Sequence, residues 1–169
     1  MNIVVLGLGN PIRTDDGVGV HAIRKLAAES VLPPEVRIID GGTLGLDLLP
    51  CLRGTTHLLA LDAVDSGEPP GTLSRFAREE LARLPISKSV HLLGFADLLG
   101  AMNLLEDIPD EVVLLGVQPE STDWGTKLTP AVDAVVNDLL ATVLAQISDW
   151  YPKSCAPFIA PFATSGSSQ

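Results

Sequence analysis

The chain has 169 residues, 46% of them hydrophobic, which suits a single domain at a prior of roughly 150 residues per domain and allows a sizeable core. Its 11 Lys and Arg against 21 Asp and Glu leave a formal charge of −10, a balance that repels phosphate backbones and anionic membranes and argues against nucleic-acid or membrane partners. No apolar run reaches the ~18–20 residues of a membrane span, and MNIVVLGLG lacks the basic segment and cleavage site of a secretory signal, so a cytoplasmic protein is expected.

Short apolar runs alternate with longer amphipathic ones, the pattern of an α/β chain layered around a largely parallel sheet. Residues 2–7 (NIVVLG) form the first predicted strand. It runs into Gly-Leu-Gly-Asn-Pro and then into two adjacent carboxylates, Asp15 and Asp16. A glycine turn after a strand usually suggests phosphate, but acid at that place argues against it. Residues 17–30 have helical period, with Val20, Ile23, Leu26 and Ala27 on one face. His21, Arg24, Lys25 and Glu29 share the other, so His21 is expected at the surface. The strand 35–40 (EVRIID) closes on Asp40. Cys51 follows in an amphipathic stretch near Leu48, Leu49 and Leu52 and is read as reduced and structural, as is the distant Cys155.

The strand 57–63 (HLLALDA) opens on His57, read as structural, and ends at Asp62. After a Gly-Glu-Pro-Pro-Gly turn, 71–76 (GTLSRF) is predicted as an edge strand. His91 starts a helical pattern in SKSVHLLGFADLLG, and 111–118 (EVVLLGVQ) is the last strand. One final helix is predicted from Thr129 as N-cap and Pro130 as first helical residue to about Trp150, with Val132, Val135, Val136, Leu139, Val143 and Ile147 along one side. The domain is therefore expected to span 1–150, with 151–169 an irregular or disordered tail rich in proline and serine.

In an open α/β sheet, ligands bind outside the carboxyl ends of the strands. Asp15 or Asp16, Asp40 and Asp62 all fall at such ends, and His91 begins a helix that can reach them. Each aspartate taken singly can be a turn former, and one of Asp15 and Asp16 can cap the helix that follows while the other faces the cleft. Two carboxylates and an imidazole suit a divalent transition metal such as nickel or zinc with coordination positions left open. The same set suits proton transfer in hydrolysis, with a carboxylate positioning water and a histidine donating to a leaving amine. The residues alone leave both roles open.

The blocks GLGNPIRTDDGVG, IDGGTLG, LLALDAVDSGEPPGTL, SVHLLGF and LLGVQPESTDWGTKLTPAV, in this order over residues 1 to about 150, resemble the hydrogenase maturation endopeptidases. That resemblance implies an α/β/α sandwich around a twisted, mainly parallel five-stranded sheet. It further implies an endopeptidase that removes the C-terminal extension of a nickel-iron hydrogenase large-subunit precursor once nickel is inserted. The family's metal-recognising triad is matched by Asp16, Asp62 and His91, and the Asp of its DGG motif by Asp40, assigned to substrate positioning or catalysis. The metal would then be nickel supplied by the substrate, with no organic cofactor, and a monomer is expected. Gly7, Gly9, Gly17 and Gly19 would permit the tight turn and a close approach of substrate backbone.

The nearest enzymatic rival is peptidyl-tRNA hydrolase, whose first strand also runs into Gly-Leu-Gly-Asn-Pro. The continuation Thr14-Asp15-Asp16-Gly17 and the acidic charge argue against it. A rival of a different class, a non-catalytic nickel-binding checkpoint or chaperone, would use the same three ligands. A dinucleotide-binding module lacks its GxGxxG spacing here.

Overall fold

Alternation along the strands decides the layering. The computed structural model describes residues 1–81 and 90–151, the side chains of 90–93 excepted. Among these residues β1 (Ile3–Leu8), β2 (Val36–Gly42), β3 (His57–Ala63), β4 (Leu73–Ala77) and β5 (Glu111–Val117) form one sheet in the order β2-β1-β3-β5-β4. β1, β2, β3 and β5 run parallel, while β4 pairs antiparallel with β5 at the edge, where a strand after a proline turn was expected.

Strand side chains point alternately to opposite faces. Ile3, Val5, Leu59, Leu61, Val113 and Leu115 therefore pack on one side against α1 (Val18–Glu29) and α6 (Val136–Trp150). Val4, Leu6, Leu8, Leu58, Ala60, Val112 and Leu114 pack on the other with Leu48 and Leu52, which flank and end α2 (Leu49–Leu52), and with Phe95, Leu98 and Met102 of α4 (Val90–Leu104). Helices on both faces bury the parallel strands twice over and make the three layers of an α/β/α sandwich. The short α3 (Arg78–Leu81) follows β4.

The predicted last helix is broken in two. α5 (Pro130–Asp133) is separated from α6 by Ala134 and Val135, where Val135 N–H bonds the Val132 carbonyl in a tighter i to i+3 turn at 3.2 Å. By length and composition residues 130–150 would pass for a membrane span, against the expectation that no run reaches that length. Here Val132, Val136, Leu139, Leu140, Val143 and Ile147 are buried on the sheet, the placement of a core helix. The expected packing role of Cys51 is not found: Leu48 and Leu52 turn inward and leave it exposed. Cys155 and the tail from residue 152 lie outside the described residues.

The first glycines make the expected tight turn and also let the chain's own backbone segments approach closely. α1 sits so close to β1 and β3 that a Cβ on Gly19 would collide with the carbonyl oxygens of Leu61 and Leu8, and one on Gly7 would lie 2.6 Å from the Gly19 carbonyl. Gly17 is similarly pressed on Pro11, and Gly9, at φ +111°, turns the chain where a Cβ would strike the Asp16 carbonyl. Gly19→Ala is accordingly expected to cost about 1–3 kcal/mol, the range for overpacking, despite alanine's better helix propensity. Gly100→Ala, on an open part of α4 where an added Cβ meets nothing within 4 Å, should instead gain about 0.5–1 kcal/mol. Urea denaturation of the two variants beside the parent protein checks both signs.

Candidate active site at the β1 and β3 strand ends

The chain leaves β1 toward β2 on one side and returns to β3 on the other, so the sheet order reverses between β1 and β3. Such a switch point opens a crevice at the carboxyl ends of the strands. Asp16 lies there, in the 3-10 turn Thr14–Gly17 between β1 and α1, half-buried, its Oδ2 accepting the Asn10 N–H at 3.1 Å. Asp62, fully buried, is the penultimate residue of β3 and accepts the Ala63 N–H on Oδ1 at 2.9 Å. Since Leu61 and Ala63 belong to the α1 side, alternation puts Asp62 on the α4 side with Ala60. α4 starts on that same face and carries His91 in its first turn; the His91 side chain lies outside the described residues. Among the described residues no three Asp, Glu, His or Cys side chains are grouped as metal ligands.

Asp40 is placed differently. It stands opposite Gly7 in the β1–β2 register, and its Oδ2 accepts Arg24 Nη2 at 2.8 Å and Nε at 3.1 Å from α1. The pair is exposed and lies on the α1 side of the sheet, across from Asp62. Helical periodicity placed Arg24 on the polar face of α1, but nothing in the sequence named its partner.

Asp15 and Asp16 have separate tasks, and neither caps α1, whose N-cap is Gly17. The fully buried Asp15 carboxylate accepts four hydrogen bonds from the loop between β5 and α5: Glu120 N–H at 2.9 Å, Ser121 N–H at 3.1 Å, Thr129 N–H at 2.7 Å and Thr129 Oγ1–H at 2.8 Å. Thr129 is the N-cap residue of α5, as predicted, but its hydroxyl bonds Asp15 and makes no capping bond. Around this centre the two loops knit together, with Thr14 N–H on Gly125 O, Gly125 N–H on Ile12 O and Thr14 Oγ1–H on Ser121 O. Arg13 lies over the exposed Trp124 ring at 5.1 Å. Sequence reading missed this clamp; its one trace was two carboxylates where a single site ligand was needed.

His57 is structural, as expected. Its ring meets Trp150 edge-on at 5.0 Å, and Nδ1 lies 2.8 Å from Thr56 Oγ1, at the end of the sheet away from the crevice. His21, expected at the surface, is half-buried beside Thr126, Lys127 and Leu128, because the clamped loop folds over α1. Its Nε2 is buried without a hydrogen-bond partner. Burial first, and then the Arg24 guanidinium, hold its pKa below the usual 6.5, against the opposing pull of Asp133.

The fold and site together define an α/β enzyme whose chemically capable groups stand at the switch point of a mainly parallel sheet. A family model described as hydrogenase maturation protease matches residues 20–146. The hydrogenase 2 maturation protease of Escherichia coli K12 is 39% identical over 151 residues, covering 88% of this chain and 92% of that protein. The hydrogenase expression/formation protein HupD of Bradyrhizobium diazoefficiens is 38% identical over 161 residues, covering 92% and 84%. The solved structure of the hydrogenase maturating endopeptidase HybD from E. coli superposes with a TM-score of 0.82 at 38% identity, covering 88% of this chain and 93% of that one. The chain belongs to the hydrogenase maturation protease family, and it is a peptidase.

Two outcomes follow from the site's construction. Asp15→Asn puts an amide donor among four donors and should cost about 2–4 kcal/mol, whereas Asp16→Asn should stay within about 1 kcal/mol of the parent in urea melts. For His21, the folded-state pKa lies below the unfolded one, so its contribution is present above about pH 6.5 and lost as pH falls. Between about pH 7.5 and pH 5.5 the parent should therefore lose more stability than His21→Gln, measured as the shift in urea midpoint.

Proposed function

We propose that this peptidase removes a C-terminal extension from a nickel-iron hydrogenase large-subunit precursor after nickel insertion, and that it recognises the nickel held in that precursor. The observation that carries this reading is that Asp16, in the turn after β1, and Asp62, at the end of the adjacent β3, both lie at the switch point, with α4, which carries His91, beginning on the Asp62 face. Two carboxylate oxygens and one imidazole nitrogen form a partial donor set suited to a borderline divalent ion whose remaining ligands come from elsewhere. Nickel is thus substrate, and the enzyme's three groups read its presence before cutting. Hydrolysis adds water to the scissile carbonyl carbon and breaks the C–N bond, and a carboxylate of this set orients the water. Asp40, held by Arg24 at the neighbouring strand end, positions the peptide at the rim.

β3 fixes Asp62 and the turn Thr14–Gly17, tied to the loop before α5, fixes Asp16, so their loss removes chemistry with little effect on packing. Asp16→Asn, Asp62→Asn and His91→Ala are each expected to reduce processing of nickel-loaded precursor by at least about 10²-fold, and nickel-free precursor should resist the parent enzyme. Intact-mass measurement of the precursor over time reads all of these. Unmodified processing by any one variant would remove that residue from the set, and cleavage of nickel-free precursor at the loaded rate would remove nickel recognition.

A further inference from the structure

An apolar cavity of about 310 Å³ opens beside the candidate site, lined by Leu8, Gly42, Thr43, Gly45 and Leu48 on one side and by Gly94, Phe95 and Leu98 of α4 on the other. Leu8, Leu48, Phe95 and Leu98 are buried core residues that make its apolar walls. Among the described residues no charged side chain lines it, and Thr43 supplies the one side-chain hydroxyl. Leu44 and Leu46, chain neighbours of the lining residues Thr43 and Gly45, are 54% and 51% exposed, although both are large and apolar.

The register ties this cavity to the carboxylates. Gly7 of β1 pairs with Leu61 of β3, so Leu8 stands one residue further on, level with Asp62, and both belong to the α4 face. Adjacent strands lie about 4.8 Å apart, so the wall of the cavity and Asp62 are direct neighbours. On the other flank Leu8 pairs with Gly42, the Gly9 N–H bonds the Gly42 carbonyl at 3.0 Å, and the Asn10 N–H bonds Asp16. Across the α4 face the order is therefore Gly42, Leu8, Asp62, with Asp16 attached just beyond Leu8. A peptide whose scissile bond lies at the carboxylates passes this opening within a residue or two. The volume is at the low end of the ~300–1,000 Å³ of ligand pockets, fitting apolar side chains and too small for a large organic cofactor.

We propose that this cavity is the enzyme's specificity pocket, receiving an apolar side chain of the substrate peptide next to the bond that is cut. The proposal rests on the reading of Asp16 and Asp62 as the cleavage site. Gly94 decides the pocket's depth, since a Cβ there would lie 3.9 Å from the Gly45 Cα, and anything longer would fill the space between α4 and the 42–45 turn. As a helical glycine it can be replaced with a gain in helix propensity, so filling the pocket need not cost the fold.

The test compares parent, Gly94→Ala and Gly94→Leu on nickel-loaded precursors carrying a large aliphatic residue, alanine or aspartate at the positions flanking the cleaved bond. At one flanking position the parent should prefer the aliphatic residue over aspartate by at least about tenfold in kcat/KM. Gly94→Leu should shift the aliphatic-to-alanine preference by at least about tenfold toward alanine, chiefly through KM, with Gly94→Ala intermediate. Thermal unfolding of each variant confirms that it is folded. A parent that cuts while Gly94→Leu and Gly94→Ala leave the preference unchanged, or slow all precursors equally, would overturn the pocket alone. A parent that cuts none of the loaded precursors would sink the pocket together with the reading beneath it.

Discussion

A buried carboxylate with every donor it needs holds the candidate site in shape. Taking the Asp15 charge out of water carries a penalty of several kcal/mol, and only charge-assisted hydrogen bonds of good geometry can offset it. Four donors do so, all from residues more than 100 positions away in the chain. The loop before α1 and the loop before α5 thereby become one body. Thr14, held with φ at +41°, is kept in that unusual conformation by its place between them. Asp16, the very next residue after Asp15, is delivered to the crevice by the same turn.

The sheet supplies the second constraint. β1 and β3 are adjacent and parallel, so the loop that follows β1 and the end of β3 arrive together regardless of the 46 positions between Asp16 and Asp62. Strand alternation then assigns each carboxylate to a face. Asp62 falls on the side where α4 begins, and Asp40 falls on the side of α1, where Arg24 meets it. The three aspartates therefore do not form a single cluster, since Asp40 lies across the sheet from Asp62.

The crevice also joins two unlike surfaces. Acid lies at the strand ends, while the wall between β2 and α4 is apolar, with the exposed Leu44 and Leu46 in the turn that lines it. A peptidase acting on one particular bond needs both kinds of contact: polar groups for the reaction and a shaped apolar wall to set the register of the peptide against them. Glycines on two sides of the cavity leave room that side chains would otherwise occupy.

Periodicity in the chain was enough to place β1, β3, β5 and α1, because each buries a face whose repeat is written directly in its residues. It also located Asp16, Asp62 and Asp40 at strand ends, and the family blocks gave them an order. What the residues could not express was direction and partnership. Asp15 and Asp16 are chemically identical neighbours, and only the return of the 119–129 loop buries one and leaves the other at the crevice. His21 has a surface position by helical count, yet that same loop covers it. The break after Asp133 interrupts an unbroken apolar period. Local sequence determined which segments have a face to bury and which ends carry acid; long-range packing alone decided which acid is buried, which face each one meets and how deep the neighbouring pocket is, because hydrogen bonds and steric contacts between distant segments leave no local period to read.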